Sequence, residues 1–245
     1  MGITVYLLFP SLVNSGAATE EEEKAVLRSY LLLIIFLCLF MAFVVAAGVE
    51  ESMKHFVVRC CQFPSALQDP HTVLVYLLAA ALGFATAENI EYVFGQGSGV
   101  PGVTLLEGEL LILLVRILTP IHAICAVLQS VNYSKVLMGQ QQMNLFLVRL
   151  YVISDCSAYL FLPIPQVLLP ALFLHGSFDF ILFLLAALGY IYDMSVNTSE
   201  IISLMVALVI TVGGFIWAYL AFKKVENGYR DGWRPMPDQS QVNEV

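Results

Sequence analysis

The sequence predicts an all-α fold, a polytopic bundle of transmembrane helices with about six spans and room for a seventh. Three observations carry that prediction. Of 245 residues, 59% are hydrophobic and only 12% are charged, whereas soluble domains run at roughly a quarter charged. The mean hydropathy is +0.83. Uncharged stretches such as Tyr30 to Val49 and Ile201 to Phe222 are each long enough to cross a hydrocarbon core of about 30 Å as a helix. A water-soluble fold is thereby excluded, and the lipid bilayer is the first partner the composition demands. The net charge of −8 excludes nucleic acid, because a phosphate backbone has to be met by surplus Lys and Arg.

In chain order, residues 1–29 form an N-terminal segment. Ile3 to Val13 is apolar but about half the length of a span and broken by Pro10, so it reads as an interfacial helix or the remnant of a seventh span. No Lys or Arg precedes it, which makes it a poor secretory signal. The acidic run Glu20 to Glu23 follows Thr19 and reads as a solvated helix start with Thr19 as its cap. Residues 30–222 form the membrane domain, with apolar stretches at 30–53, 72–94, 105–131, 144–163, 165–192 and 200–222 separated by turn residues. Residues 223–245, with Pro235, Pro237 and a string of Gln, Ser and Asn, read as a disordered polar tail.

Lys223, Lys224, Arg230 and Arg234 follow the last span, which favours a cytosolic C-terminus, and six crossings then put the N-terminal segment on the same side. Lys54 and Arg59 oppose that orientation. Two sequons, Asn132-Tyr133-Ser134 and Asn197-Thr198-Ser199, are expected in loops on the far side. The five cysteines show no metal or redox spacing and read as small apolar packers.

The charges that remain in the membrane portion need a reason. Outside the two tails there are eleven acids and five bases, and each charge placed centrally in a span costs on the order of 2.5–3.5 kcal/mol on insertion scales. For Arg116 and Asp155, near the centres of neighbouring spans, an ion pair locking two helices is as good an explanation as a catalytic role. The rest is harder to explain as packing. Glu50-Glu51-Ser52-Met53-Lys54 closes the first full span, with Glu50 and Lys54 four apart on one helical face and Glu51 and His55 a second such pair. The second span ends in Phe84-Ala85-Thr86-Ala87-Glu88-Asn89, the third carries His122, and the fifth carries His175-Gly176-Ser177-Phe178-Asp179. There the imidazole and carboxylate are one turn apart, so Asp179 is placed to hold the ring and fix its tautomer. Glu88, His122 and His175 all fall within about 9 Å of their span centres at 1.5 Å per residue.

These residues, in this order, resemble the PrsW family of intramembrane proteases, a branch of the superfamily that includes the CAAX prenyl endopeptidases and bacteriocin-processing enzymes. The resemblance covers about 50–180 and is carried by Glu-Glu-x-x-Lys at 50–54, Phe-x-x-x-Glu-Asn at 84–89, His122 and His-x-x-x-Asp at 175–179. It implies hydrolysis of a peptide bond in a membrane protein or peptide substrate, within the membrane.

Amide hydrolysis needs an activated water, a partner for the developing oxyanion and a proton for the leaving nitrogen. Carboxylates and imidazoles can supply all three without a Ser or Cys nucleophile. Glu50 is the candidate general base, with Glu51 positioning it. Glu88 and His122 are candidates to hold the water or transfer protons, and His175, oriented by Asp179, is the candidate oxyanion contact. Lys54 and Asn89 are supporting residues. No metal is favoured as cofactor. Two His with one or two Glu form a legitimate zinc ligand set, but no His-Glu-x-x-His occurs and each His comes from a separate span. A proton-coupled transporter would also bury such groups, although no inverted repeat is evident. A bis-histidine haem protein and a non-catalytic membrane scaffold are the other rival readings.

Overall fold

In a computed structural model of the chain, the described residues are 19–60, 69–95, 116–142 and 164–232, and all of their regular structure is helical. α1 (Glu20–Ser29) begins with a capping box: Glu22 N–H donates to Thr19 Oγ1, and Thr19 N–H donates to Glu22 Oε2 at 2.9 Å. That is the start expected of the acidic run. α2 (Leu31–Phe40), a π-helical turn (Met41–Ala46) and α3 (Ala47–Cys60) come next without interruption. α4 (Pro70–Gly95) is capped by Asp69, whose carboxylate accepts from the backbone N–H of His71 at 3.0 Å and of Thr72 at 2.9 Å. Asp69 lies outside the apolar run; partial burial disfavours its charge, but the Thr72 and His71 hydrogen bonds prevail and hold its carboxyl below the usual range.

α5 (Ile121–Gln142) is the central helix, packed against α4, against α6 (Ile164–Ile191) and against α7 (Val196–Gly232). One apolar cluster joins α5, α6 and α7 through Ile124, Leu128, Leu174, Phe178 and Ala207, and a second joins α3, α4 and α5 through Val58, Val73, Leu77, Ala126 and Tyr133. Between these two clusters the polar residues of the spans meet. Many large apolar side chains point outward, among them Leu32, Phe36, Leu169, Phe173, Val209 and Phe215, as expected where lipid rather than water covers the surface. Among the described residues four helical stretches are long and apolar enough to cross a membrane: Leu31–Val58, Pro70–Ile90, Gln166–Ile191 and Thr198–Arg230. The chain is an integral, multi-pass membrane protein.

The third expected span, 105–131, is not one straight helix where it is described. Helical residues at 116–118 are followed by a break at Thr119 and Pro120, and α5 starts at Ile121; proline has no N–H to continue the ladder and clashes with the preceding turn. The fourth expected span, 144–163, lies outside the described residues. α7 runs on to Gly232, past the end expected at Phe222. Neither sequon is a loop. Asn132-Tyr133-Ser134 lies inside α5 with Tyr133 and Ser134 buried, and Asn197-Thr198-Ser199 lies in the first turn of α7.

The two ends of the bundle are also distributed differently from the expectation. Lys24 pairs with Asp193 in the turn between α6 and α7, and Arg28 Nη2 donates to the Ile191 carbonyl at 3.1 Å. His71, at the start of α4, packs edge-on against Phe222 near the end of α7. Because α7 spans the bundle between these contacts, α1 and the C-terminal end of α7 lie at opposite ends. Hydropathy counts crossings but does not see which helix ends touch.

Candidate active site

The first-span residues are presented by α3, where the glutamates diverge. Adjacent helical residues point about 100° apart, so Glu51 turns fully inward, at 0% exposure, while the side chain of Glu50 stays 18% exposed. Lys54 is also buried. Its Nζ donates to Glu51 Oε1 at 2.6 Å, one turn away, and lies 2.8 Å from His122 Nδ1 and 5.1 Å from the centre of the Phe84 ring. The expected pairing of Glu50 with Lys54 is thus replaced by Glu51 with Lys54, since both spacings put the partners within reach.

The two histidines come from α5 and α6, with ring centroids 5.0 Å apart and planes nearly perpendicular. Each has one nitrogen tied to a carboxylate. His122 Nε2 is 2.7 Å from Glu88 Oε2, and His175 Nδ1 is 2.7 Å from Glu51 Oε1. The remaining nitrogens, His122 Nδ1 and His175 Nε2, both lie 3.7 Å from Glu50 Oε2. Asp179 Oδ2 is 3.3 Å from His175 Nε2. The nearer partner of the His175 ring is therefore Glu51, and Asp179 approaches the opposite nitrogen. Glu88 also takes an ion pair from Arg116 Nη2 at 2.5 Å, and Arg116 Nε donates to Asn89 Oδ1.

All six candidate site residues, Glu50, Glu51, Glu88, His122, His175 and Asp179, are thus gathered in one cluster, with Lys54 and Asn89 beside it. Arg116, read from the sequence as a partner of Asp155, contributes to this cluster through Glu88; Asp155 lies outside the described residues. Sequence reading missed Gln129, which is fully buried and whose Nε2 donates to Glu51 Oε2 at 2.7 Å. His122, Cys125 and Gln129 stand at i, i+3 and i+7, a single helical face, and that spacing was the available signal.

A divalent metal fits this donor set. Glu50 Oε2 is buried and has no hydrogen-bond partner among the described residues, and such an orphaned anionic oxygen is costly without a cation. One donor atom from each of Glu50, His122 and His175 lies within 4.8 Å of the other two, the chemistry of a three-ligand zinc centre. The outer carboxylates, Glu88 on His122 and Glu51 on His175, orient the rings as carboxylate–histidine pairs do around zinc. The objection that the two histidines lack a local scaffold is removed, because the packing of α5 on α6 supplies it. Lys54 Nζ competes for His122 Nδ1. A second group, Glu51, Cys125 and His175, also meets the same distance limit, but Glu51 is already occupied by Lys54.

A sequence model of the PrsW family intramembrane metalloproteases matches residues 24–213. Protease PrsW of Bacillus subtilis (strain 168) is 32% identical over 158 residues, which cover 63% of this chain and 59% of that protein. The chain therefore spans well under two thirds of the length of this curated relative. No solved structure matches the chain. The family match includes every helix from α2 to α6 and all six clustered residues, and on that extent the chain belongs to the PrsW family of intramembrane metalloproteases.

Proposed function

We propose that this chain is an intramembrane peptidase that hydrolyses a peptide bond of a membrane-associated protein or peptide, with Glu50, His122 and His175 holding a divalent metal ion. The observation that carries this reading is the convergence of two imidazole nitrogens on Glu50 Oε2, which lies 3.7 Å from each and has no hydrogen-bond partner among the described residues. Zinc is the ion the donor chemistry favours. When bound, it supplies Lewis acidity for the scissile carbonyl and lowers the pKa of a bound water.

The chain's own residues handle position and protons. Glu51 holds His175, and Glu88 holds His122, so each ring keeps a fixed tautomer with its second nitrogen directed at the centre. Glu88 is already engaged by Arg116 and His122. Asp179 has the looser arrangement, at 3.3 Å from His175 Nε2, and is the carboxylate best placed to accept a proton from the attacking water and return it to the leaving nitrogen. The partial exposure of Glu50, Glu88 and Asp179, each 18%, leaves one side of the cluster open for a substrate.

A second reading keeps the same site without a metal, with Glu50 as general base. It is favoured by Lys54 Nζ, whose ammonium lies on the His122 lone pair. Metal analysis of protein purified without chelator separates the two. The metal reading expects about one zinc per chain, lost in Glu50→Ala, His122→Ala and His175→Ala, with cleavage of a fluorogenic apolar-helix peptide in proteoliposomes abolished by chelation and restored by zinc. Cleavage that persists without any bound metal would transfer the role of base to Glu50. Absence of cleavage with wild-type and variants alike would favour a transporter or scaffold.

A further inference from the structure

We propose that Gln129 is a positioning residue of this site, fixing Glu51 and, through it, the His175 imidazole. The inference rests on the reading of His175 as part of a peptidase centre. Glu51 is completely buried, and both of its carboxylate oxygens are engaged. Oε1 accepts from Lys54 Nζ at 2.6 Å and lies 2.7 Å from His175 Nδ1; Oε2 accepts from Gln129 Nε2 at 2.7 Å. The Gln129 amide also lies 3.4 Å from the Glu51 carbonyl. Three helices, α3, α5 and α6, thus converge on one carboxylate. A carboxylate held by donors on both oxygens is fixed in orientation and is a good anchor for a ring.

The other end of the Gln129 amide shows what this arrangement is for. Gln129 is itself 0% exposed, and its Oε1 has no hydrogen-bond partner among the described residues. Rotating the amide by half a turn would aim that oxygen at Glu51 Oε2, acceptor against acceptor, so the donor must face the carboxylate. Among the described residues the hydrogen-bonding end of the amide is thus committed to Glu51, and its direction is fixed by the carboxylate rather than by its own carbonyl. Without Gln129, Oε2 loses the one partner it has among the described residues, the carboxylate is free to turn about the Lys54 contact, and His175 Nδ1 loses a fixed acceptor.

The test uses the full-length chain in proteoliposomes, with Gln129→Met, which keeps the shape and removes the amide, and Gln129→Asn, which keeps an amide one carbon too short. The first readout is the imidazole ¹⁵N spectrum of chelator-treated, histidine-labelled protein, with the His175 signals assigned by their loss in His175→Gln. Wild type is expected to hold His175 as the Nδ1–H tautomer, and both variants to show mixed tautomers. The second readout is cleavage of the fluorogenic apolar-helix peptide, where kcat falls about 10–100-fold, the range for lost outer-shell partners, while KM stays within twofold. A His175 tautomer unchanged in every variant that folds overturns the role of Gln129, whatever happens to kcat. If wild type fails to cleave, the peptidase reading falls, and the tautomer readout still decides whether Gln129 anchors the ring.

Discussion

At the scale of single residues, a buried lysine ties the site together, and its loss should be felt well beyond its own contacts. Lys54 is 1% exposed and links α3, α4 and α5 through Glu51, Phe84 and His122. Replacing it with Met keeps the volume and leaves Glu51 a buried carboxylate without its cation. Breaking one partner of a buried pair costs about 3–5 kcal/mol, so Lys54→Met is expected to lower unfolding stability in mixed micelles by that amount. Adding Glu51→Gln should recover part of the loss, and strictly additive effects would contradict the coupling. The site was legible in the sequence where it is charged, because Glu50, Glu88, His122, His175 and Asp179 interrupt apolar runs that lipid should keep clean. Gln129 is neutral and interrupts nothing. Spacing alone also left Lys54 free to pair with Glu50 or Glu51, and only the packing of α3 on α5 decides between them.

At the scale of the helical element, the π turn at Met41–Ala46 is the feature with no trace in the sequence. It lies in an unbroken apolar run, and such turns insert an extra residue that re-aims the rest of the helix, often next to functional sites. Glu50 and Glu51 stand within one to two turns of its C-terminal end, so the π turn sets the direction in which both carboxylates point. The turn is locked from two sides. A Cβ at Gly48 would stand 2.9 Å from the Phe43 carbonyl oxygen, and one at Gly176 would stand 2.5 Å from Phe43 Cδ1. Gly176, directly after His175, is therefore the slot into which the Phe43 ring fits. Gly176→Ala is expected to destabilise by about 1–3 kcal/mol, as overpacking does, and to reduce cleavage by displacing His175. Phe43→Leu in the same background should recover much of the stability, measured by thermal unfolding. An alanine variant as stable as wild type would mean that the ring moves aside freely. The break before α5 was easier to foresee, since Pro120 stands in the sequence, but hydropathy averages over it and reports one span from 105 to 131.

At the scale of the whole molecule, the contacts between helix ends resolve what charge counting left in conflict. Six crossings placed both termini on one side and set Lys54 and Arg59 against the C-terminal lysines. In the structure α1 is fastened to the turn between α6 and α7 by Lys24–Asp193, with Asp193 in the left-handed conformation at φ 54°. The start of α4 meets the end of α7 through His71 and Phe222, and Tyr133 in the second half of α5 lies beside His55 of α3. The end of the bundle that carries the start of α4 therefore holds Arg59, Lys135, Lys223, Lys224 and Arg230, while the other end holds Lys24 and Arg28. The basic residues no longer disagree, and their excess predicts that the end with the C-terminus is the cytosolic one. With the five native cysteines replaced by serine, Glu21→Cys should react with an impermeant maleimide in intact cells. Asn227→Cys should react only after permeabilisation. Equal labelling of the two from outside would return both termini to one side and require that the contacts of Lys24 and of His71 not form together in the membrane. With opposite labelling, Glu50, near the cytosolic end of the first span, places the open side of the cluster nearer the cytosolic leaflet, which limits the segments of a substrate that can reach it.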